Sequence, residues 1–365
     1  MKSFVVRRRR AFARSLLFVC FFRAFLEDRT EARSMIMIDT AWKGEPPFWH
    51  PARQDAFILD WDGVLAETKL DFRPLFAKYF GGKRVMLLET LPSLEPSRRR
   101  EIEEELIRLE MEGARKAHPI PGATRLLAFL EERRIPWGVV SRNCEAAIRL
   151  AAEAAGITLP EHTFTRDQEP VKPDPRALWR AAAALGTAPE RCVMVGDFLY
   201  DLMGARRGGM RGVLVQRDEP SWLPWADLAF STLEEFVDFL LRDEPVLPRE
   251  YRHVASSEEL RRRWEYSFVL PENAENPGAL AFGAANWGCG ALGIPPEEHL
   301  SPAQWMLWHG LEASFLGKPL GESLKHALGS RFPLLALREP AQEDVPLPAK
   351  AEDLPAFLES LESSE

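Results

Sequence analysis

The sequence is poor in cysteine and histidine, with four of one and seven of the other in 365 residues. Cys20, Cys144, Cys192 and Cys289 lie far apart and form no CxxC pair, so neither a disulfide framework nor a zinc ribbon is indicated, and a reducing cytosol fits best. A long apolar run is lacking too. The N-terminal stretch "RRRRAFARSLLFVCFFRAF" puts a basic cluster ahead of an apolar segment as a secretory signal does. Its uninterrupted part, between Arg14 and Arg23, is only about eight residues, too short to span a bilayer. No small-x-small cleavage site follows, and Met35 and Met37 offer later starts, so the expectation is an over-extended start or frayed leader with no membrane span. Excess positive charge is absent as well. The formal net charge of −8 argues against nonspecific nucleic-acid binding, which needs a net basic face. No internal repeat is found.

What is present is a hydrophobic fraction of 46%, enough for a proper buried core, with a regular pattern from Asp55 onward. The runs "AFILD", "PWGVVS", "RCVMVGD" and "RGVLVQ" alternate with helical stretches at Gly122 to Arg133, Ala146 to Ala155, Pro175 to Leu185 and Leu202 to Gly208. That alternation predicts an α/β fold, a Rossmann-like doubly wound parallel sheet. Gly156, Gly186 and Gly209 follow helical stretches, where a left-handed cap is wanted. A polar helical insertion fills about residues 69–117, and a capping box from Ser231 to Glu234 opens the last helix of this domain.

Residues 1–54 are expected to form a basic leader and irregular arm, and 55–242 the α/β core. Residues 243–365, where prolines and a change of composition begin, form a mainly helical C-terminal appendix. Within the appendix, Ser301 and Gln304 form a capping box, a second helix covers about Leu320 to Leu328, and the glycines around Trp287 read as turns. The acidic tail after Pro340 reads as loose, apart from an amphipathic piece near Leu354 to Leu361.

In an open parallel sheet the ligand site lies beyond the carboxyl ends of the strands. Four such places carry suitable residues: Asp60 and Asp62 in "FILDWDGVLAET", Ser141 in "GVVSRN", Lys172 in "EPVKPDP", and Asp197 and Asp201 in "VMVGDFLYD". Together they form a device for phosphoryl transfer. A carboxylate can attack phosphorus only if the charge of both partners is offset, which a divalent cation held by Asp60 and Asp197 would do. With oxygen ligands alone and no His or Cys cluster, Mg2+ is the natural choice. Asp62 can protonate the leaving alkoxide and then activate water, provided its surroundings separate its pKa from that of Asp60. Ser141 offers a hydroxyl to a phosphoryl oxygen, and Lys172 supplies the positive charge that two adjacent aspartates demand.

With these motifs in this order, the chain resembles the haloacid dehalogenase-like hydrolase superfamily, in the branch with a small helical cap inserted after the first motif. "LDFRPLF", "FTRDQEPVKP" and "GDFLYDLMGARRGG" are similar to the phosphoglycolate phosphatase-like group. The resemblance covers roughly Asp55 to Leu241. It implies that Asp60 is the nucleophile, Asp62 the acid/base and a metal ligand through its backbone carbonyl, and Asp197 a direct ligand. Asp201 would act through water or by orienting Lys172. Gly63 would let the chain turn sharply away, and Asn143 is an extra substrate contact. Dehalogenating members lack the second aspartate, so Asp62 points to phosphate chemistry; Val64 stands where threonine is usual, at a position with no required catalytic group.

The expected activity is Mg2+-dependent hydrolysis of a small phosphorylated metabolite by a cytoplasmic enzyme. The rivals are a phosphomutase on the same core, which a short open cap disfavours, and a scaffold that recruits a partner through the appendix. Arg73, Lys78, Lys83 and Arg84 read as a solvated face of the cap. Cys289, His299 and His309 follow no zinc spacing, and Trp305 with Trp308, one helical turn apart, reads as core packing.

Overall fold

The computed structural model describes residues 48–363, apart from 243, 273, 309–310, 330–331 and 333–334. The basic leader and His309 therefore lie outside the described residues. His50–Glu244 and Pro245–Glu365 fall into separate compact units, each with its own apolar core.

In the first unit, β1 (Ala56–Leu59) is buried along its whole length, as a central parallel strand must be. A two-residue strand, β2 (Ala66–Glu67), leads into the insertion: α1 (Arg73–Phe80), α2 (Leu87–Thr90) and the long α3 (Pro96–Ala114). Leu75, Leu91, Ile102 and Leu106 form a small core of its own. β3 (His118–Pro119) runs antiparallel to β2, so the insertion leaves and rejoins the core through one two-stranded ribbon. Then follow α4 (Ala123–Glu132), β4 (Trp137–Val140), α5 (Glu145–Ala155), β5 (Thr163–Phe164), α6 (Pro175–Ala184), β6 (Cys192–Gly196), α7 (Leu199–Arg207), β7 (Arg211–Leu214), β8 (Leu228–Ala229) and α8 (Leu233–Leu240).

The sheet has six strands in the order β5-β4-β1-β6-β7-β8, every pairing parallel. The sequence-predicted strands are all there, and β5 and β8 extend both edges. The chain crosses to opposite sides of β1 in reaching β4 and β6, which puts a switch point at the carboxyl end of β1. Two expectations shift at α8 and α7. The cap of α8 is Thr232, which accepts the Glu235 N–H at 3.1 Å, while Glu235 reaches back to the Ser231 N–H. The box thus sits one residue beyond the Ser231 to Glu234 reading, because that frame points Leu233, Phe236, Val237 and Leu240 inward. Helix α7 begins at Leu199, ahead of Leu202.

The second unit contains α9 (Ser257–Trp264), β9 (Ser267–Val269), α10 (Pro277–Trp287), β10 (Ala291–Gly293), α11 (Pro302–Leu307), α12 (Leu320–Gly329), β11 (Ala336–Arg338), β12 (Val345–Pro346) and α13 (Leu354–Glu362). It is helical, as expected, but is built on a short parallel sheet ordered β11-β10-β9-β12. Of the glycines around Trp287 read as turns, Gly288, at φ +114°, and Gly290 do lie in the turn that ends α10, but Gly278 and Gly283 are inside that helix, whose apolar residues are mostly buried. The tail after Pro340 is packed as well: Val345 pairs with Phe268, and Arg338 holds Asp344 in a two-pronged ion pair at 2.6 and 2.8 Å. Ser301 and Gln304 do cap α11, which ends at Leu307. Trp305 and Trp308 pack on this unit's core. Among the described residues, no helix is long and apolar enough to cross a membrane.

Candidate active site

Backbone geometry at three strand ends builds the site. Beyond β1, the Asp60 N–H donates to the Val195 carbonyl of β6 at 2.9 Å. The chain then coils tightly, with the Leu65 and Ala66 N–H groups donating to the Trp61 carbonyl at 2.9 and 3.0 Å. Gly63, at φ +72°, lies so close to Asp197 that a β-carbon there would stand 2.3 Å from its Oδ2. The turn away from β1 and the seat of Asp197 therefore require glycine. Beyond β4, the buried Ser141 donates its N–H to Phe164 at 2.9 Å. Beyond β6 comes Asp197, and in the first turn of α7 Asp201 accepts the Phe198 N–H at 3.0 Å.

Lys172, fully buried, joins these pieces: its Nζ lies 2.9 Å from Asp60 Oδ1 and 2.6 Å from Asp201 Oδ1. Burial pulls the Lys172 ammonium toward deprotonation, but Asp201 and Asp60 outweigh it and hold its pKa above the usual value. Asp60 Oδ1 also accepts the Trp61 N–H at 2.7 Å. Asp62 faces another set of partners, accepting from the Thr68 hydroxyl and from Asn143 Nδ2, the latter at 2.6 Å. Desolvation, with the charges of Asp60 and Asp197 adding to it and the Thr68 bond opposing it, pushes Asp62 up to about 7.

Burial and the Asp60 charge raise Asp197 to about 6, against the pull of Arg217, and raise Asp201 to about 7, against the pull of Lys172. Asp60, Asp197 and Asp201 bring carboxylate oxygens within 4.8 Å of one another. Even with Lys172 and Arg217 beside it, the cluster is short of positive charge. Its donors are all hard oxygens, so the residues present fit a Mg2+-sized divalent cation. Among the described residues this is the one such group, and Cys289 and His299 are not part of it.

The structure thus draws Asp60, Asp197, Asp201 and Lys172 into one knot and Asp62 with Asn143 into another beside it. Ser141 connects to the second, its Oγ accepting the Asn143 N–H at 3.2 Å. Arg73, Lys78, Lys83 and Arg84 are exposed. Sequence reasoning missed three side chains. Thr68 closes the quoted motif itself. Arg217 donates to Asp197 Oδ2 through Nε at 3.1 Å and Nη2 at 2.8 Å; its position past the carboxyl end of β7 was the signal. Arg142, between Ser141 and Asn143, was passed over because its neighbours hold the motif.

Residues 76–209 match the family described as haloacid dehalogenase-like hydrolase. Over those residues the chain is a haloacid dehalogenase-like hydrolase. Asp60 and Asp62 lie just before the matched stretch, in the first motif. Similar relatives include a haloacid dehalogenase-like hydrolase domain-containing protein of Arabidopsis thaliana, 26% identical over 43% of this chain and 69% of its own length. N-acetylmuramic acid 6-phosphate phosphatase of Pseudomonas aeruginosa is 28% identical over 52% of this chain and 96% of its own. Phosphoglycolate phosphatase of Xanthomonas campestris is 29% identical over 43% of this chain and 71% of its own. That match makes the first unit a hydrolase.

Proposed function

We propose that this hydrolase is a Mg2+-dependent phosphatase that cleaves a small phosphate monoester through a phosphorylated Asp60. The observation that carries the reading is the Asp60–Lys172–Asp201 knot beside an Asp62 whose pKa is near 7. Two carboxylates at one strand end with different partners, Lys172 for Asp60 and Thr68 with Asn143 for Asp62, can serve as nucleophile and as acid. The named phosphatases among its relatives agree with this class.

In this mechanism both N–H donors at Asp60 engage Oδ1, which leaves Oδ2 to attack phosphorus. The P–O bond to the leaving group breaks as the new bond forms, and protonated Asp62 gives its proton to the departing alkoxide. The resulting carboxylate of Asp62 then takes a proton from water, which attacks the same phosphorus and frees Asp60 and inorganic phosphate. Thr68 and Asn143 keep Asp62 oriented through both steps. Lys172 and the Ser141 hydroxyl would steady the phosphoryl oxygens. Mg2+, held by Asp60, Asp197 and the Asp62 backbone carbonyl with Asp201 behind them, would supply the charge that lets two anions meet.

The reading includes a cytosolic setting, with Cys144, Cys192 and Cys289 as free buried thiols. It also keeps the domain plan of a 55–242 core, a cap at about 69–117 and an appendix over 243–365. The test is phosphate release across a panel of metabolite phosphates, with and without Mg2+. Release that requires Mg2+ and disappears in Asp60→Asn is expected; no turnover on any phosphate would overturn the reading.

A further inference from the structure

Arg142 stands between two residues of the site, yet its guanidinium serves three other places. Its Nη1 and Nη2 grip Glu89 of α2 through Oε1 at 2.8 Å and Oε2 at 3.0 Å, a matched two-pronged pair. Nη1 also donates to the backbone carbonyl of Lys172. The guanidinium carbon lies 4.4 Å from the centroid of the Tyr200 ring, the residue just before Asp201. One planar cation thus touches the inserted cap, the residue that carries the buried ammonium, and the helix that presents Asp201. Lysine could not reproduce this, since it has neither the fork nor the flat face.

A second acid of the cap is held quite differently. Glu110, near the end of α3, accepts the Cys144 N–H at 3.1 Å and pairs with Arg166. The Glu110 side chain is 2% exposed and Arg166 12%, whereas Glu89 is 34% exposed and Arg142 19%. Breaking the buried pair would strand a charge away from water, while the Glu89 pair can be exchanged for water and is weakened by salt. Glu110 also lies close in sequence to the β2–β3 ribbon, through which the cap joins the core. The cap therefore has one fixed attachment beside its ribbon and one releasable attachment at Glu89.

We infer that the Glu89–Arg142 pair is a latch that closes the cap and, in the same contact, sets the position of Lys172, so that Arg142 is a positioning residue coupling closure to the catalytic knot. This rests on the phosphatase reading for the role of Lys172, but the latch itself is independent of turnover.

The test uses the full chain with Glu89→Gln, Arg142→Lys and the exchange Glu89→Arg with Arg142→Glu. Limited proteolysis within residues 69–117 and steady-state phosphate release are followed at low and high salt. Glu89→Gln, which frees only the cap, should raise the nicking rate and KM by about threefold with kcat little changed, and high salt should erase the difference from wild type. Arg142→Lys, which also loosens the Lys172 carbonyl and Tyr200, should in addition lower kcat. The exchange should restore protection from nicking but not kcat. Nicking that is the same in wild type and Glu89→Gln at low salt would overturn the latch, whether or not phosphate is released. Altered nicking with no phosphate release in any chain would keep the latch and discard the phosphatase. A kcat for Arg142→Lys equal to wild type would remove the coupling to Lys172, and a melting temperature unchanged from wild type guards against misfolding as the cause of any loss.

Discussion

Asp344 in the second unit and Asp201 in the first are both buried aspartates facing a cation, and their acidities move in opposite directions. Burial works against Asp344 too, but the Arg338 fork, the Ala341 N–H at 2.8 Å and Ser267 outweigh it and hold its pKa below the usual value. One carboxylate there has one cation and a backbone donor. In the first unit Asp60, Asp197 and Asp201 crowd together with Asp62 beside them, and Lys172 and Arg217 leave Asp62, Asp197 and Asp201 all raised to between about 6 and about 7. Asp344 is settled, and its charge supports the fold. The aspartates of the cluster are unsettled, and their charge works against the fold until something positive arrives, which is the mark of a site selected for what it binds.

The largest break in this contrast should come from Asp60→Asn. The amide is nearly isosteric but cannot attack phosphorus, so turnover should fall by about a thousandfold or more in a phosphate-release assay while the fold persists. Next is Asp197→Ala, which should weaken Mg2+ affinity and activity together, with partial recovery at excess Mg2+; a titration showing unchanged affinity would take Asp197 out of the metal site.

The contrast itself is sharpened by pH. Asp62, Asp197 and Asp201 are raised in the folded state, so between about pH 4 and pH 7 these three groups bind more protons folded than unfolded. Their contribution to stability therefore falls as pH rises through that window. Without divalent cation the melting temperature of the first unit should decline from pH 5 to pH 8, Mg2+ should oppose the decline, and Asp60→Asn should flatten it. Asp344 has the opposite sign: its lowered pKa contributes stability at neutral pH that is lost as pH falls through the folded value. Asp344→Asn should cost roughly 1–3 kcal/mol at pH 7, measured by denaturant unfolding, and progressively less in acid.

The smallest effect on chemistry is expected from ending the chain at Arg242. Since each unit has its own core, the shortened chain should stay soluble and still release phosphate. An insoluble product would show that the aromatic residues of the second unit are needed to complete the first.

Much of the first unit was legible in the sequence because its four central strands are short apolar runs, two of them ending at an aspartate, a pattern that burial on both faces imposes. The edge strands were not. Thr163–Phe164 and Leu228–Ala229 are two residues long, too short to show any period. In the second unit α10 was hidden because its apolar residues go all the way round, leaving no amphipathic stripe, and its glycines read as breakers. β12 was hidden by the acids around it, which conceal that Asp344, just ahead of it, is neutralised by Arg338 at the end of β11. At the site, the aspartates and Lys172 could be named because each ends or follows a strand. Arg217 shares that signal, standing past the end of β7, but the partners of Arg217 and Arg142 could not be named, because an arginine's reach carries it to groups that chain position does not specify.

The ribbon at the base of the cap has a consequence for how this hydrolase can change. Because Ala66 faces Pro119 and Glu67 faces His118, the two ends of the cap are already side by side. Whatever loop joins them, the strands beneath can remain as they are. The stretch between can therefore vary between two fixed ends while the pairing of β1 with β4 and β6 stays the same, provided that the core contacts made by Glu89 and Glu110 are rebuilt.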